Sequence, residues 1–561
     1  MKGTGNTMKR LIVFVAPLVL FFLISCNVYA NEESGSQEEI LWGETGSVHG
    51  YGVFNDVGFT DMSFLVPTDQ GYMRVQAGVG YGDDYDGDED ERLQFAVEYY
   101  DQNFNRTSLR FINMDLPIWG GFCTDGEYYY VTTGQSNPNE SDDLEVIRVS
   151  KYDKQWNRIQ YVSIKGVGIR IPFHAGTCSM AIKGSVLAVH TCRTEYKDSI
   201  GKSHQTNYTF TVKTTTMNIL EKVGESIHND SGFVSHSFGQ IVQFDGKRIV
   251  TVDHGDGGPR AIVLKRFRNG SATSGEFIEN ELNSIDVLEF DGNSGQNYTG
   301  AFLGDLQITN DTYLITGSSI PQEYFYDDCN VRNVFLGVVY KSGLTTELKW
   351  ITNYKRNGII SASNPYLIRV DDDSFLLMWD EVRDDDVDNR QLKCVFVDAQ
   401  GETTSAVQSV DAYLTDCRPI LNDGKIVWYS WDNGETIFYQ MPVDNPTGLT
   451  KTVNSYKMDP ELYIKTTTRT IKAKKLKKKA RVVQPFVYAE SDNEDADIIF
   501  QGTGVNAKSR KALKINEDTG KVTVKKKTKK GKYSMKVTVT VPSTPAYNMA
   551  SKTVTITVRV K

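Results

Sequence analysis

The chain has 561 residues, of which 39% are hydrophobic and 11% aromatic, so its composition excludes a largely disordered protein. The formal net charge of −9 combines two opposite parts. Residues 461–561 carry 24 Lys+Arg and 8 Asp+Glu, a net charge of +16, which leaves −25 for the first 460 residues. Two domains of opposite charge are therefore predicted, and the acidic one disfavours nucleic acid as a partner.

The first 30 residues have the pattern of a secretory signal peptide. The basic pair Lys9 and Arg10 precedes an apolar run of 14 residues, which is too short to cross a bilayer. Two cleavage sites fit, one after Ala30 and one before Cys26, where the sequence LISC resembles a bacterial lipobox. We therefore expect a secreted or cell-surface protein, with lipid anchoring at Cys26 as the alternative. Residues 31–39 form a polar tether, and no later segment predicts a transmembrane span.

A short turn recurs between two apolar runs throughout residues 40–458. The turn positions are 52 to 65 residues apart and stand at Gly71, Gly126, Gly184, Gly246, Asp311, Asp372 and Gly424. A second hairpin-like pair of apolar runs follows each turn, so each cycle predicts four strands. This pattern predicts an all-β fold and resembles the seven-bladed β-propellers. The Trp-Asp, kelch and Asp-box signatures of the named subfamilies are missing, so no function transfers with the fold.

Histidines concentrate in the third and fourth predicted blades. In a propeller, the residues that lead into each inner strand share one face with the loops between the second and third strands, and we call this the top face. Six of the seven histidines lie between positions 174 and 254. Their distances from the turn positions place five of them on the top face: His174, His190, His204, His236 and His254. Histidines gathered there could bind metal, act as acids or bases, or only brace loops. The residues expected to bind a ligand here are His204, His236, Asp253, His254 and Asp256.

The third blade contains a candidate zinc site. A hairpin turn is predicted at residues 183–185, and we expect it to pair positions whose numbers add to about 370. Cys178 would then lie opposite Cys192, and His190, two residues before Cys192, would lie on the same side of the sheet. Two cysteines and His190, with His174 as a fourth ligand, make a set that suits Zn²⁺. A disulfide or two buried thiols are the simpler alternatives, because the spacing matches no compact zinc motif.

Acidic loops are also expected on the top face, at residues 83–91, 140–143 and 380–388. Asp84, Asp86 and Asp88 have part of the spacing of a Ca²⁺-binding loop, although the full twelve-residue pattern with its closing Glu is missing. A solvated acidic loop is the alternative. The sequence thus predicts no certain cofactor and two candidates, zinc and calcium.

Aromatic residues accompany these loops. Trp379 and Trp431 end second strands, Trp119 leads into the second blade, and Tyr324–Tyr326 lies in the fifth. Aromatic rings beside carboxylates and amides commonly hold sugars by stacking and hydrogen bonding. Packing between blades is the alternative for Trp119 and Trp379.

The last hundred residues have a different pattern. Their pieces TIKAKKLKKK, DTGKVTV and KGKYSMKVTV resemble the Lys-rich bacterial Ig-like modules of Gram-positive surface proteins. That resemblance implies a β-sandwich over residues 462–561 that acts as an extracellular spacer or adhesion module. The runs 472–479 and 525–532 would make it cationic, with an anionic wall polymer, membrane surface or host glycan as partner. Solubility and blunted strand edges are the alternative explanation.

Two functions are compatible with this sequence. The first is an exported binding protein whose top face recognises a glycan or a protein, either as a receptor or as a scaffold. The second is a glycan-degrading enzyme, for which some propeller polysaccharide lyases offer an analogy of residue type. In that case His174, His190, Arg193 and Tyr196 would be catalytic, with histidine and tyrosine moving protons and arginine neutralising a uronate. A carboxylate pair such as Asp253 and Asp256 would serve a hydrolase instead.

Overall fold

The computed structural model describes the chain in twelve stretches. These are residues 58–77, 94–223, 232–268, 278–326, 329–383, 386–432, 435–455, 462–466, 468–483, 487–491, 496–542 and 549–561. The chain divides into two compact units, one over Trp42–Asn454 and one that includes Ser455–Lys561, and each is described by itself. None of the helices in these stretches has the length and apolarity that a membrane crossing requires.

The first unit is built from antiparallel strands that follow one another along the chain. Its first two sheets contain β1 (Ser63–Thr68), β2 (Gly71–Ala77), β3 (Gln94–Asp101), β4 (Arg106–Asn113), then β5 (Ile118–Thr124), β6 (Tyr129–Gly134), β7 (Ile147–Tyr152) and β8 (Arg158–Ile164). Each of these sheets has four strands in sequence order.

A larger sheet follows and combines two such meanders. It contains β9 (Ile169–Pro172), β10 (Cys178–Lys183), β11 (Val186–Glu195), β12 (Gln205–Lys213), β13 (Asn218–Val223), β14 (Ser235–Asp245), β15 (Arg248–Gly258), β16 (Arg260–Arg268) and β17 (Ile278–Glu289). The meanders β10–β13 and β14–β17 are joined where Thr206 of β12 pairs with Ser235 of β14, and β9 pairs with the end of β11.

Three more four-stranded sheets complete the unit. They contain β18 (Ala301–Ile308), β19 (Thr312–Ser319), β20 (Asn333–Tyr340), β21 (Thr345–Trp350), β22 (Ile360–Arg369), β23 (Ser374–Arg383), β24 (Asp386–Asp398), β25 (Gln408–Val410), β26 (Ile420–Asn422), β27 (Lys425–Asp432), β28 (Glu435–Pro442) and β29 (Thr450–Ser455). Short 3-10 helices lie at Gln322–Tyr324 and Pro446–Gly448. Six of the seven turn positions predicted from the sequence fall between the first and second strands of their meanders, and Gly71 is the first residue of β2.

The meanders surround a common centre, which makes this unit a β-propeller. First strands of successive meanders contact one another in the order β5, β10, β14, β18, β22, β26 and then β1. Apolar clusters fill the seams between neighbouring meanders, as where Trp119 and Phe122 pack on Met73, Val75 and Phe95. Burial of these faces supplies the main favourable free energy of the fold, at about 25 cal/mol for each Å² of apolar surface.

The first and last meanders close the ring through side chains. The Asn422 carboxamide donates to the Tyr72 hydroxyl at 3.1 Å, and the Met62 amide donates to Asp416 Oδ2 at 2.9 Å. The rings of Phe104 and Phe438 stack at 4.6 Å between centroids. The strand that Leu41 and Trp42 could add to the last meander lies outside the described residues.

The second unit is a small β structure with its own core. Its elements are β30 (Leu462–Thr466), β31 (Arg469–Ile471), α1 (Ala473–Leu476), β32 (Arg481–Val483), β33 (Val487–Ser491), β34 (Ile499–Gly504), α2 (Ala507–Ala512), β35 (Leu513–Ile515), β36 (Val522–Val524), β37 (Gly531–Val541) and β38 (Ala550–Val560). The sheet β31-β38-β37-β34 and the sheet β32-β36-β35 both contribute to that core. Burial alternates along β37 from Tyr533 to Val541, as expected when one face of a strand is covered.

Candidate functional site

The predicted catalytic residues of the third blade are mostly enclosed. His190 and Asp253 are fully buried, with His190 Nε2 3.2 Å from Asp253 Oδ1 and His190 Nδ1 2.8 Å from Thr209 Oγ1. The Ser237 hydroxyl donates to Asp253 Oδ1 at 2.8 Å. This network links the third meander to the fourth from inside the structure. His190 therefore braces the fold and has no contact with solvent through which it could reach a ligand.

Arg193 is enclosed in the same way. Its guanidinium donates to Glu195 Oε1 at 2.8 Å and to the Val167 carbonyl at 2.8 Å, and it lies 5.0 Å from the centre of the Tyr208 ring. Because Arg193 is almost completely buried, it cannot neutralise the uronate that the lyase analogy requires. Tyr196 lies nearer the surface, where its hydroxyl donates to Asp142 at 3.2 Å. The structure thus does not gather these predicted residues around one open space.

His174 lies apart from this enclosed network. It is exposed, and its Nδ1 lies 2.8 Å from Thr194 Oγ1. Desolvation by the surrounding protein lowers the pKa of His174.

Two of the predicted ligand-binding histidines remain accessible. His236 Nδ1 lies 3.0 Å from Oδ1 of the buried Asp256, and this hydrogen bond raises the pKa of His236. His204 stands 6.3 Å from His236 between ring centres and 3.3 Å from Asp198 Oδ2. His254, by contrast, is buried against Phe290 and bonded to Thr299.

The predicted pairing of the two cysteines in the third blade is wrong. In the hairpin of β10 and β11, Lys183 pairs with Val186, so Cys178 pairs with Thr191. A shift of one residue puts Cys178 and Cys192 on opposite faces of the sheet. Both are free thiols, and Cys192 Sγ donates to the His174 carbonyl at 3.2 Å. Among the described residues, no three His, Cys, Asp or Glu side chains gather into a metal-binding group, so the zinc site is not formed.

The predicted aromatic residues divide between core and surface. Trp379 is buried and donates to the Tyr354 hydroxyl at 3.1 Å, so the expectation that it binds a ligand is wrong. Trp119 is also buried and donates to the Asp61 carbonyl at 3.0 Å. Tyr326 is exposed. The side chain of Trp431 and the proposed calcium ligands Asp84, Asp86 and Asp88 lie outside the part of the chain whose side chains are described.

Charged groups that the sequence analysis missed converge on the centre of the ring. Asp305 of β18 is fully buried, and its carboxylate accepts from Arg418 at 2.5 Å and from the Leu367 amide at 3.0 Å. Asp61 lies near both groups, since Arg418 and Asp305 are the charges that act on its carboxyl. The charge of one arginine thus acts on two carboxyl groups that come from different meanders.

Asp61 and Arg418 are the accessible members of this group, which we call the channel cluster (Asp61, Asp305 and Arg418). Asp61 as a residue is exposed, although protein atoms surround its carboxyl group, whereas Asp305 is fully buried. The surrounding protein desolvates the carboxyl and raises the pKa of Asp61 to about 6, although Arg418 acts in the opposite direction. A carboxyl group with such a pKa is partly protonated near neutral pH and can both donate and accept a proton.

The segment that carries Asp61 runs alongside the inner strands of the third and fourth blades before it enters β1. A Cβ atom on Gly58 would lie 1.8 Å from the Phe238 carbonyl oxygen and 3.3 Å from Gly176 Cα, so only glycine fits at this point. Phe59, next in the chain, is 47% exposed. This segment and Arg418 therefore supply an accessible aromatic ring, a carboxyl group and a guanidinium group.

Two further carboxyl groups, Asp416 and Asp380, lie in or contact the segment that leads into β26. Burial raises the pKa of Asp416 well above its ordinary value, even though the Met62 amide donates to it. Burial also raises the pKa of Asp380 to about 7, with Arg390 acting in the opposite direction. The Leu414 amide lies 3.1 and 3.2 Å from the two Asp380 oxygens. Both aspartates support the segment that leads into β26.

The opposite face of the ring holds a polar crevice of about 340 Å³ among the turns that precede β15, β19 and β23. Two of its side chains form hydrogen bonds to neighbouring meanders. Gln243 donates to the Leu306 carbonyl at 2.7 Å, and Gln307 donates to the Leu367 carbonyl at 2.8 Å. This crevice therefore functions in joining the meanders, and the top face remains the better candidate site.

The distance of each residue from its predicted turn position indicates the channel cluster. Asp61 stands ten residues before its turn position, as His174 and His236 do before theirs. Asp305 and Arg418 both stand six residues before theirs, which places them in one layer of the ring. The concentration of histidines in two blades does not mark these equivalent positions, because none of the three residues is a histidine.

Comparison with known proteins identifies no family. No family model matches the chain, and no curated protein matches it. Among solved structures, polysaccharide lyase Uly1 is 11% identical, with 90% of this chain and 99% of that chain covered and a TM-score of 0.37. The β-propeller domain of the Trilobed protease from Pyrococcus furiosus is 9% identical over 61% of this chain and 96% of that one, with a TM-score of 0.32. The GH43 BlXynB protein from Bacillus licheniformis is 10% identical over 79% and 95%, with a TM-score of 0.27. Likeness at this level assigns no activity.

Proposed function

We propose that the chain is an exported glycan-binding protein with two domains. A signal peptide over residues 1–30 and a tether over residues 31–39 precede a seven-bladed β-propeller at residues 40–458 and an Ig-like domain at residues 462–561. The seven blades are supported by the seven meanders and by the order of contacts between their first strands. Export is supported by the leader pattern, and lipid attachment at Cys26 would tether the domains to the cell surface.

The observation that carries the binding function is the combination of groups at the top-face end of the channel. Phe59 offers an exposed aromatic face two residues before Asp61, and Arg418, which is 43% exposed, acts on the Asp61 carboxyl. Sugars are commonly held by a ring that stacks on an aromatic side chain and by hydroxyl groups that bond to charged or amide groups. The accessible His204 and His236 extend this surface towards the third and fourth blades.

Glycan retention by this site can be tested with two single substitutions. Phe59→Ala removes the stacking surface and Asp61→Asn removes the charge, so each is expected to weaken binding about tenfold or more. Affinity electrophoresis against a panel of neutral and acidic polysaccharides identifies the ligand, and titration calorimetry then gives its dissociation constant. The matched control is Tyr161→Ala, which removes a 49% exposed aromatic ring from the outer strand β8. Equal affinities for the three variants and the unaltered chain would contradict this site.

Glycan cleavage is a second candidate, and the raised pKa of Asp61 is the observation that favours it. A general acid must hold its proton near the working pH, and a pKa of about 6 allows this. A hydrolase also requires an accessible carboxylate partner, and the fully buried Asp305 does not provide one. The lyase alternative has less support, because the enclosed His190 and Arg193 cannot contact a polymer.

If Asp61 is the acid, product release should fall as the pH rises through about 6, because the protonated form is lost there. The measurement is new reducing ends, or unsaturated product, from each bound polysaccharide between pH 4.5 and 8. Asp61→Asn should abolish the activity at every pH. An activity that survives this substitution would assign the chemistry to other residues, and retention without any product would leave the binding function alone.

A further inference from the structure

The fold brings two lysine-rich segments of the second unit together. Residues 472–481 and 525–532 are separated by more than 40 residues in the sequence. The Lys527 amide donates to the Leu476 carbonyl at 2.8 Å, and Arg481 of β32 pairs with Val524 of β36. These two contacts place the segments side by side, and we call their common surface the lysine face.

The lysine face concentrates positive charge on a small area. Its basic residues are all exposed and comprise Lys472, Lys474, Lys475, Lys477, Lys478, Lys479, Arg481, Lys525, Lys526, Lys527, Lys529, Lys530 and Lys532. Neither segment contains an aspartate or a glutamate. Among the described residues, no carboxylate forms an ion pair with any of these side chains. Like charges at such spacing repel one another within the Debye length of about 8 Å, so the face is stabilised by an anionic partner.

The composition of the face indicates what kind of anion it suits. Twelve of its thirteen basic residues are lysines, whose ammonium groups act as point charges and bind phosphate without the planar pairing of arginine. Neither segment contains an aromatic residue on which a base or a sugar ring could stack. Within its strand β32, the exposed apolar side chain is Val482, which offers too little area to insert into a membrane. Recognition would therefore depend on charge density along a chain.

We propose that the lysine face binds a linear polymer with closely spaced phosphate groups. This inference deepens the adhesion role and rests on the proposed export of the chain, while it is independent of the glycan site in the propeller. Binding would release condensed counterions from the polymer, so the affinity falls steeply as salt increases. The exposed ammonium groups need no rearrangement of the unit, because the strand pairs β32-β36 and β35-β36 already fix the two segments.

The test uses the mature full-length chain and long-chain inorganic polyphosphate, with binding followed by fluorescence anisotropy at 50, 100 and 200 mM NaCl. The test variant carries Lys477→Gln, Lys526→Gln and Lys529→Gln. The control carries Lys465→Gln, Lys536→Gln and Lys552→Gln, which remove the same charge from exposed positions outside both segments. We expect the test variant to lose at least tenfold in affinity at 100 mM NaCl, and its plot of log K against log salt to be shallower by about 2. The control should change less than threefold.

Three outcomes would overturn the proposal. Equal losses in the test and control variants would show that only net charge matters. Equal affinity for polygalacturonate and for polyphosphate would remove the preference for phosphate. Tight binding to phosphatidylglycerol vesicles without binding to polyphosphate would assign the face to a membrane surface. Glycan retention by the propeller should be the same in both variants, because none of the substitutions lies in the propeller. A loss of glycan retention therefore tests the proposed glycan site and not the lysine face.

Discussion

Replacement of Arg418 by methionine is expected to lower the free energy of unfolding by about 2–4 kcal/mol. The substitution leaves the carboxylate of Asp305 fully buried without its cationic partner. Removal of one member of a buried ion pair typically costs about 3–5 kcal/mol, and the lower range applies here because Arg418 is itself 43% exposed. The Asp305 carboxyl can also take up a proton, which limits the loss.

Urea denaturation at pH 7.5, followed by far-UV circular dichroism, measures this loss. Lys451→Met is the matched control, because Lys451 pairs with the fully accessible Asp411 at 2.6 Å and such surface pairs contribute only about 0–1 kcal/mol. The double variant Arg418→Met, Asp305→Asn should recover part of the stability, since it removes the charge left without a partner. A loss in Arg418→Met no larger than in the control would show that the pair does not stabilise the contact between β18 and the segment that leads into β26.

Asp380→Asn is expected to stabilise the propeller at high pH by a few kcal/mol. Burial raises the pKa of Asp380 from 3.8 to about 7 in the folded state. Between about pH 4 and 7 the unfolded chain has released this proton while the folded chain still holds it, so the folded state binds more protons. Its stability therefore falls as the pH rises through this window and is constant above it. A difference of about 3 pKa units corresponds to about 4 kcal/mol at most.

Asparagine removes this cost because it is neutral at every pH and still offers an acceptor to the Leu414 amide. We expect the variant and the unaltered chain to unfold at similar urea concentrations at pH 4.5, and the variant to be more stable by about 2–4 kcal/mol at pH 8. Asp372→Asn, at a 95% exposed position, is the control and should change little at either pH. A difference between variant and unaltered chain that is the same at both pH values would contradict the proposed protonation of Asp380.

Turn residues made the order of strands readable from the sequence. Five of the seven predicted turn positions are glycines with positive φ, such as Gly184 at 57° and Gly424 at 72°. Such conformations favour glycine, and the apolar runs on either side then have to pair. The position of each hairpin in the chain was therefore predictable from local chemistry.

The pairing register of β10 and β11 was not predictable to within one residue. This error of one residue is the reason that the predicted pairing of Cys178 with Cys192 is wrong. A two-residue turn at Gly184 and Ser185 pairs Lys183 with Val186, whereas the predicted sum of 370 would require one more residue in the loop. Because side chains alternate along a strand, this single step moved Cys178 away from His190 and Cys192. Turn type depends on backbone angles that the residue types at this position do not determine.

Burial was the other property that the sequence left open. His190, Arg193 and Trp379 have the residue types of a functional site, but packing between meanders encloses them. In the sequence Asp61 is an isolated carboxylate with no motif around it. Its pKa depends on Arg418 and Asp305, which are more than 240 residues away in the chain. Groups brought together by ring closure leave no local pattern.

The side-chain closure of the ring also has a kinetic consequence. Neighbouring meanders are joined by short connections, whereas the contact between Tyr72 and Asn422 must bring together residues 350 positions apart. The entropy cost of closing a loop grows by about 0.6 kcal/mol for each doubling of its length, so this seam has the most expensive closure in the propeller. It should be the last seam to form during folding and the first to separate on unfolding. Amide hydrogen exchange would then be faster in β1 and β26, which contact each other across this seam, than in strands of equal burial elsewhere in the ring.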